Sequence, residues 1–377
     1  MDKHRNLDCK DIEAITALLS KDGEALNYYK TNGAESVGHA FMIANLLHLH
    51  ANVSEASLFY RHAFNLHGKS QTEYPLPQSL LQVSLLCLLK AGQPVPEEEI
   101  KELEKYAPSY ANYIRGILIA WRGGDVKEAM SLIGNAFEGF HSGEEIDALY
   151  LEIALKYFPA LTAPITDTSY SPIPRHLYMY WDKNPPKEIA DNIKYHQELL
   201  GEDFTFFNQE NAEEWLFEHF GSETLSLFQN TKHPAESADF LRLHVILNNG
   251  GWWLDADLRL KSLEQWEMLS RLPKNCRFFI TEKFLIHNDF FGTVANDPIL
   301  ANALLTCYVN MLKHHGLYIP YKTGPGVFSR AVSRTVYSSF NHDAPLPSLA
   351  IGTAWEMFSI VEEFEVTYKS GGNWHTA

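Results

Sequence analysis

Cysteine is scarce and scattered: Cys9, Cys87, Cys276 and Cys307 are four in 377 residues, and no two form a CxxC pair. That excludes a disulfide framework and a zinc knuckle, and it leaves reduced, mostly buried thiols as the expectation. Basic residues are also short, 31 Lys and Arg against 47 Asp and Glu, for a formal net charge of −16. A chain this acidic argues against nucleic acid or an anionic membrane surface as the main partner. No apolar run approaches the ~18 residues of a membrane span, and the opening MDKHRNLDCKDIEAIT lacks the apolar core of a secretion signal. A soluble, cytoplasmic protein is expected, with export as an effector as the alternative. The seventeen histidines include no HExxH spacing, so a zinc-hydrolase centre is not expected and the histidines read as structural or surface residues.

What is present is a core-forming composition, 45% hydrophobic and 13% aromatic, which suffices for two domains. The texture changes near residue 165. Before it, apolar residues recur at helical spacing, as in Ala40, Ile43, Ala44 and Leu47, and again in Leu81, Leu85, Leu86 and Leu89. EASLFYRHAF (55–64) and EAMSLIGNAF (128–137) share EA and AF at the same internal spacing, and GGD at 123–125 reads as a turn. The small residues Ala56, Ala63, Ala129 and Ala136 suit close helix pairs. We read residues 1–164 as an all-α, tetratricopeptide-like helical-repeat domain, with an ordinary helical bundle as the alternative.

After the linker LTAPITDTSYSPIP, strand and helix patterns alternate, which implies a mainly parallel sheet covered on both faces over residues 165–377. Strands are expected at His176–Trp181 and 203–208, and helices from about Pro186 to Leu200 and through Trp215. Pro234 suits a first helical turn and Gly250 and Gly251 a stop, so a helix Pro234–Asn249 should lead directly into a strand WWLDADL. Strict alternation along that strand puts Asp255 and Asp257 on one face with Trp253. Two carboxylates on so apolar a strand are costly unless its end opens on a crevice and a cation stands between them. In open α/β sheets the crevice lies outside the carboxyl ends of the strands. Asp239 and Arg242, three apart on the preceding helix, share a face and form either an ion pair or a ligand-presenting pair.

Five segments, IPRHLYMYW (173–181), SADFLR (237–242), GGWWLDAD (250–257), HNDFFGTVANDP (287–298) and KTGPGVF (322–328), together resemble glycosyltransferase family 32, whose sugar-binding region contains a DxD motif. More distantly they are similar to the catalytic domain of the clostridial glucosylating toxins. The resemblance covers about residues 171–377, and one residue, Ala238, separates Ser237 from Asp239 where the family has them adjacent.

The resemblance implies a nucleotide-binding fold of the glycosyltransferase A type behind the helical domain. Asp239, Arg242, Asp255 and Asp257 become the candidate catalytic set. Trp181 would stack on the base, Asp239 and Arg242 would hold donor-sugar hydroxyls, and Asp255 would touch ribose and sugar. Asp257 would bind Mn²⁺ (or Mg²⁺), and Asn288 would contact the donor sugar. The C-terminal GGNWHTA departs from the family's closing segment; it offers His375 as a further metal ligand and Trp374 as a lid. The implied activity is retaining transfer of a hexose from a nucleotide-sugar, UDP-sugar by default, to a glycan or protein acceptor. The implied settings are capsule or lipopolysaccharide assembly, or modification of a host protein by an effector, with the helical repeats available to a protein partner. The competing class is a non-catalytic helical-repeat scaffold carrying a degenerate sugar-binding domain.

Overall fold

The computed structural model describes residues 7–8, 11–163 and 171–367. The chain forms two compact units, Met1–Ala136 and Phe137–Ala377. The division falls earlier than the boundary expected at 164/165, because the helix Glu145–Tyr157 is built into the second unit. Its Asp147, fully buried, pairs with Arg330 (Nε to Oδ1 2.9 Å), 183 residues away.

The described part of the first unit is helical, from Ile12–Leu18 through Val37–Leu49, Val53–Leu66, Pro77–Lys90 and Pro108–Trp121 to Val126–Ile133. Its start signals are ordinary: Asp22, Ser36 and Asp125 accept backbone N–H groups of their own first turns. Ala56, Ala63 and Ala129 are fully buried, as close helix packing requires. The two echoing segments do not share a conformation. Ala63 and Phe64 lie inside a helix, whereas Gly134, at φ +55°, ends the helix before Ala136 and Phe137, which enter a 3₁₀ turn. The correspondence therefore stops at a glycine that the first copy lacks.

The second unit is an α/β layer structure. Its strands are β1 (Leu177–Tyr180), β2 (Phe204–Phe207), β3 (Gly251–Leu254), β4 (Leu258–Leu260), β5 (Cys276–Ile280), β6 (Phe290–Thr293), β7 (Leu349–Thr353) and β8 (Val361–Glu363). Six form a sheet in the order β2-β1-β3-β6-β5-β7, and β4 pairs with β8 separately. β2, β1 and β3 run parallel, β6 runs against both neighbours, and β5 and β7 run parallel. The carboxyl ends of five strands and the start of β6 thus share one edge. Trp252, stacked on Phe290 at 5.5 Å, packs on one face; Phe291, against Phe278 and Phe328, packs on the other. The expected helix after β2 runs past Trp215 until Gly221, at φ +82°, breaks it, and a second helical stretch continues to Gln229. The three cysteines described, Cys87, Cys276 and Cys307, are buried.

The helix Pro234–Asn249 has the bounds its proline and glycines predict. Gly250 (φ +68°) and Gly251 (φ +106°) take backbone angles that other residues resist. They also leave no room for a side chain: a Cβ at Gly251 would lie 2.7 Å from the His176 carbonyl. Two glycines thus seat β3 directly against β1.

Candidate active site

β3 ends at Leu254, one residue before the acids. Asp255 lies beyond the strand, Ala256 and Asp257 form a turn, and β4 begins at Leu258. The expectation that Asp255 and Asp257 lie on a strand is corrected accordingly. The Leu258 N–H closes the turn on the Asp255 carbonyl (2.9 Å), while the Asp255 N–H donates to the Asp289 carbonyl (2.8 Å). The turn still brings both carboxylates to one place, because it sits at the carboxyl edge of the sheet.

A cavity of about 450 Å³ opens at that edge. Trp181 and Asp182 after β1, Asp239 and Arg242 of the long helix, the Asp255–Leu258 turn and Asn288 and Asp289 before β6 line it, with Ile319, Pro320, Pro325 and Glu363 closing further sides. All six described residues proposed from the sequence therefore line one cavity: Trp181, Asp239, Arg242, Asp255, Asp257 and Asn288. His375 and Trp374 lie outside the described residues.

Arg242 organises the floor. Its side chain is 3% exposed, and its Nη2 reaches Asp255 Oδ1 at 3.0 Å and Asp239 Oδ1 at 3.2 Å. Its Nη1 donates to the Asn288 carbonyl, and the guanidinium lies 5.4 Å from the Trp253 ring centre. The Trp253 indole N–H donates to Asp255 Oδ1 (2.7 Å). Asp239 also accepts from the Asn288 amide and from the Thr323 hydroxyl, each at 2.8 Å. The network thus holds both carboxylates in fixed orientations. Asn288 contributes mainly by its hold on Asp239 and Arg242.

One guanidinium faces six carboxylates in the cavity wall: Asp182, Asp239, Asp255, Asp257, Asp289 and Glu363. Burial raises the Asp239 carboxyl to about 6 even with Arg242 beside it. Burial also raises Asp255; Arg242 opposes this, and the Asp257 and Asp289 carboxylates add to it. A wall this negative repels a bare diphosphate, so an anionic ligand needs an accompanying cation. Among the described residues no group of three or more His, Cys, Asp or Glu encloses a metal position. Asp255 is held by Arg242 and Trp253, and Asp257 stands in the turn beyond it at the cavity wall. That arrangement fits a hard cation held by one or two carboxylates and completed by water and phosphate oxygens, and it does not fit an all-protein cage.

Sequence reasoning missed two contributors. Asp289 stands beside Asn288 in the quoted HNDFFG, and its carboxylate accepts from His287 Nδ1 (3.0 Å). Thr323 sits in the quoted KTGPGVF, but a threonine in a loop gives no signal that it will reach a buried aspartate.

No protein-family model and no curated protein matches this chain. Among solved structures it is similar to one described as "PaToxG Glycosyltransferase". The two share 17% identity with a TM-score of 0.35, over 57% of this chain and 93% of that one. Similarity at that level does not establish a common fold, and the reading that follows rests on the cavity itself. No helix among the described residues is long and apolar enough to cross a membrane.

Proposed function

We propose that the Phe137–Ala377 unit is a glycosyltransferase of the A-type fold that moves a sugar, with retention, from a nucleotide-sugar to a glycan or protein acceptor in the presence of Mn²⁺ or Mg²⁺. The observation that carries this reading is the convergence of Asp239, Arg242, Asp255 and Asp257 in one cavity at the carboxyl edge of the sheet, with Trp181 at its wall. Asp239 and Asp255, oriented by Arg242, Asn288 and Thr323, are suited to accept hydrogen bonds from sugar hydroxyls in a fixed geometry. Trp181, half-buried after β1, offers a ring to a nucleotide base, its indole N–H donating to the Lys183 carbonyl (3.2 Å). Asp257 would hold the cation, with Asp289 nearby. When bound, the cation would neutralise charge developing on the departing diphosphate.

In retaining transfer of this kind the departing phosphate can take the acceptor's proton, so no protein base is required. The protein's part is then to position the donor and exclude water. UDP is the default nucleotide. The Met1–Ala136 unit is assigned acceptor or partner recognition, on its helical texture. Keeping four buried or half-buried polar residues in register favours this reading over a lapsed scaffold, since unused buried charge is costly.

A thermal-shift panel of UDP- and GDP-sugars with and without Mn²⁺ tests the reading, because a ligand that binds only the folded state raises its melting temperature. A Mn²⁺-dependent rise with one nucleotide class is expected. A flat response to every nucleotide-sugar would overturn it.

A further inference from the structure

Thr323, which fixes one oxygen of Asp239, caps the short helix Ile319–Lys322, and that helix is itself held by a turn far away in sequence. The turn is His141-Ser142-Gly143, ahead of the helix Glu145–Tyr157. The Ser142 hydroxyl donates to the Tyr321 carbonyl (2.6 Å) and accepts from the Asn310 amide (2.8 Å), which also donates to the Lys322 carbonyl (3.0 Å). Gly143 and Gly326 meet backbone to backbone: a Cβ on Gly326 would lie 2.7 Å from the Gly143 Cα, and one on Gly143 2.7 Å from the Tyr321 ring. Arg330, one helical turn beyond Gly326, donates to Asp147 and to the Phe140 and His141 carbonyls, at 2.9 to 3.2 Å. Lys322 is tied on its other side to Glu236 of the long helix (2.5 Å).

We infer that the 141–143 turn is a positioning device for the cavity: Ser142 and Gly143 set the 319–326 segment, a short helix Ile319–Lys322 and the start of the helix Pro325–Asn341, the segment sets Thr323 between them, and Thr323 sets the Asp239 carboxylate. Ile319, Pro320 and Pro325 of the same segment wall the cavity, so the turn also sets its width. The buried Asp147–Arg330 pair locks the turn's register, because no other placement satisfies both charges. The consequence for donor binding rests on the proposed function; the mechanical link does not.

Ser142→Ala tests the link with little risk to folding, since Asn310 keeps the Tyr321 and Lys322 carbonyls as acceptors. Amide hydrogen exchange should quicken over residues 319–327 and stay unchanged in the helix Lys187–Leu200. Affinity for UDP with Mn²⁺ should weaken about tenfold, the scale of one lost hydrogen bond. Thr323→Val should weaken it similarly, and the double variant no further, because both act through Asp239. Unchanged exchange at 319–327 overturns the inference, and so do additive losses of affinity. Should the wild-type protein bind no nucleotide, the glycosyltransferase reading fails and the exchange comparison alone decides the positioning role.

Discussion

The two units handle charge in different ways. In the described part of the Met1–Ala136 unit Arg115 meets Glu104 (2.9 Å) and Glu97 (3.1 Å), glutamates whose side chains are 44% and 54% exposed. The buried Ser57 and Ser84 hydroxyls each donate to the other residue's backbone carbonyl. The Phe137–Ala377 unit buries whole ion pairs: Asp147 with Arg330, Glu236 with Lys322, and Arg242 between Asp239 and Asp255. Buried pairs contribute little net stability, so their concentration around one cavity marks a place where position matters more than stability.

The sharpest way to break this contrast is to remove one partner from each kind of pair. Arg330→Met leaves Asp147 enclosed without its counter-ion and should lower stability by about 3 to 5 kcal/mol, whereas Arg115→Met, whose glutamate partners are exposed, should cost about 1 kcal/mol or less. Denaturant midpoints measure both, and equal losses would erase the distinction between the units.

Buried histidines add a pH dependence. In the second unit His196 and His244 are held by burial to about 4, well below the ordinary value of 6.5. His196 accepts the Leu260 N–H at 3.1 Å and donates to the Asn192 carbonyl at 2.9 Å, so it has no place for a second proton. The unfolded chain takes up these protons between pH 6.5 and 4 while the folded one does not. The stability they contribute is therefore complete above about 6.5 and is lost as pH falls toward 4, by up to about 3 kcal/mol per histidine. Asp239 acts oppositely, because its raised value favours the fold at low pH and loses that contribution as pH rises through about 6. NMR titration separates the two: the His196 and His244 imidazoles should stay neutral down to about pH 5, and titration of either near 6.5 would contradict the assignment.

Trp181→Ala should weaken nucleotide binding by ~1 to 3 kcal/mol, on the scale of base stacking. Calorimetry checks it; unchanged affinity in a folded variant returns Trp181 to a packing role.

Much of the second unit was legible because its signals are local. Proline, glycine and periodicity fixed Pro234–Asn249, and the acids at the end of an apolar stretch pointed to the cavity that contains them. The end of β3 was not legible, since WWLDADL alternates through the turn and contains no glycine or proline. The turn is closed by the Leu258 N–H on the Asp255 carbonyl, while the last ladder bond, from the Asp255 N–H to the Asp289 carbonyl, comes from a distant segment. The unit boundary was hidden because it too depends on distant contacts. Helical spacing in Glu145–Tyr157 reports a buried face but not the core it joins, and only Arg330, 183 residues on, decides that. Thr323 and Asp289 were invisible as site residues because their partners are set by tertiary contact.

The central claim is that the cavity binds a nucleotide diphosphate through a cation held at Asp257. Calorimetric titration of UDP into wild-type and Asp257→Asn protein, each with and without Mn²⁺, tests it most directly. The account predicts Mn²⁺-dependent binding by the wild type and a loss of about a hundredfold or more in the variant at unchanged melting temperature. Binding that ignores Mn²⁺, or survives intact in Asp257→Asn, would contradict it.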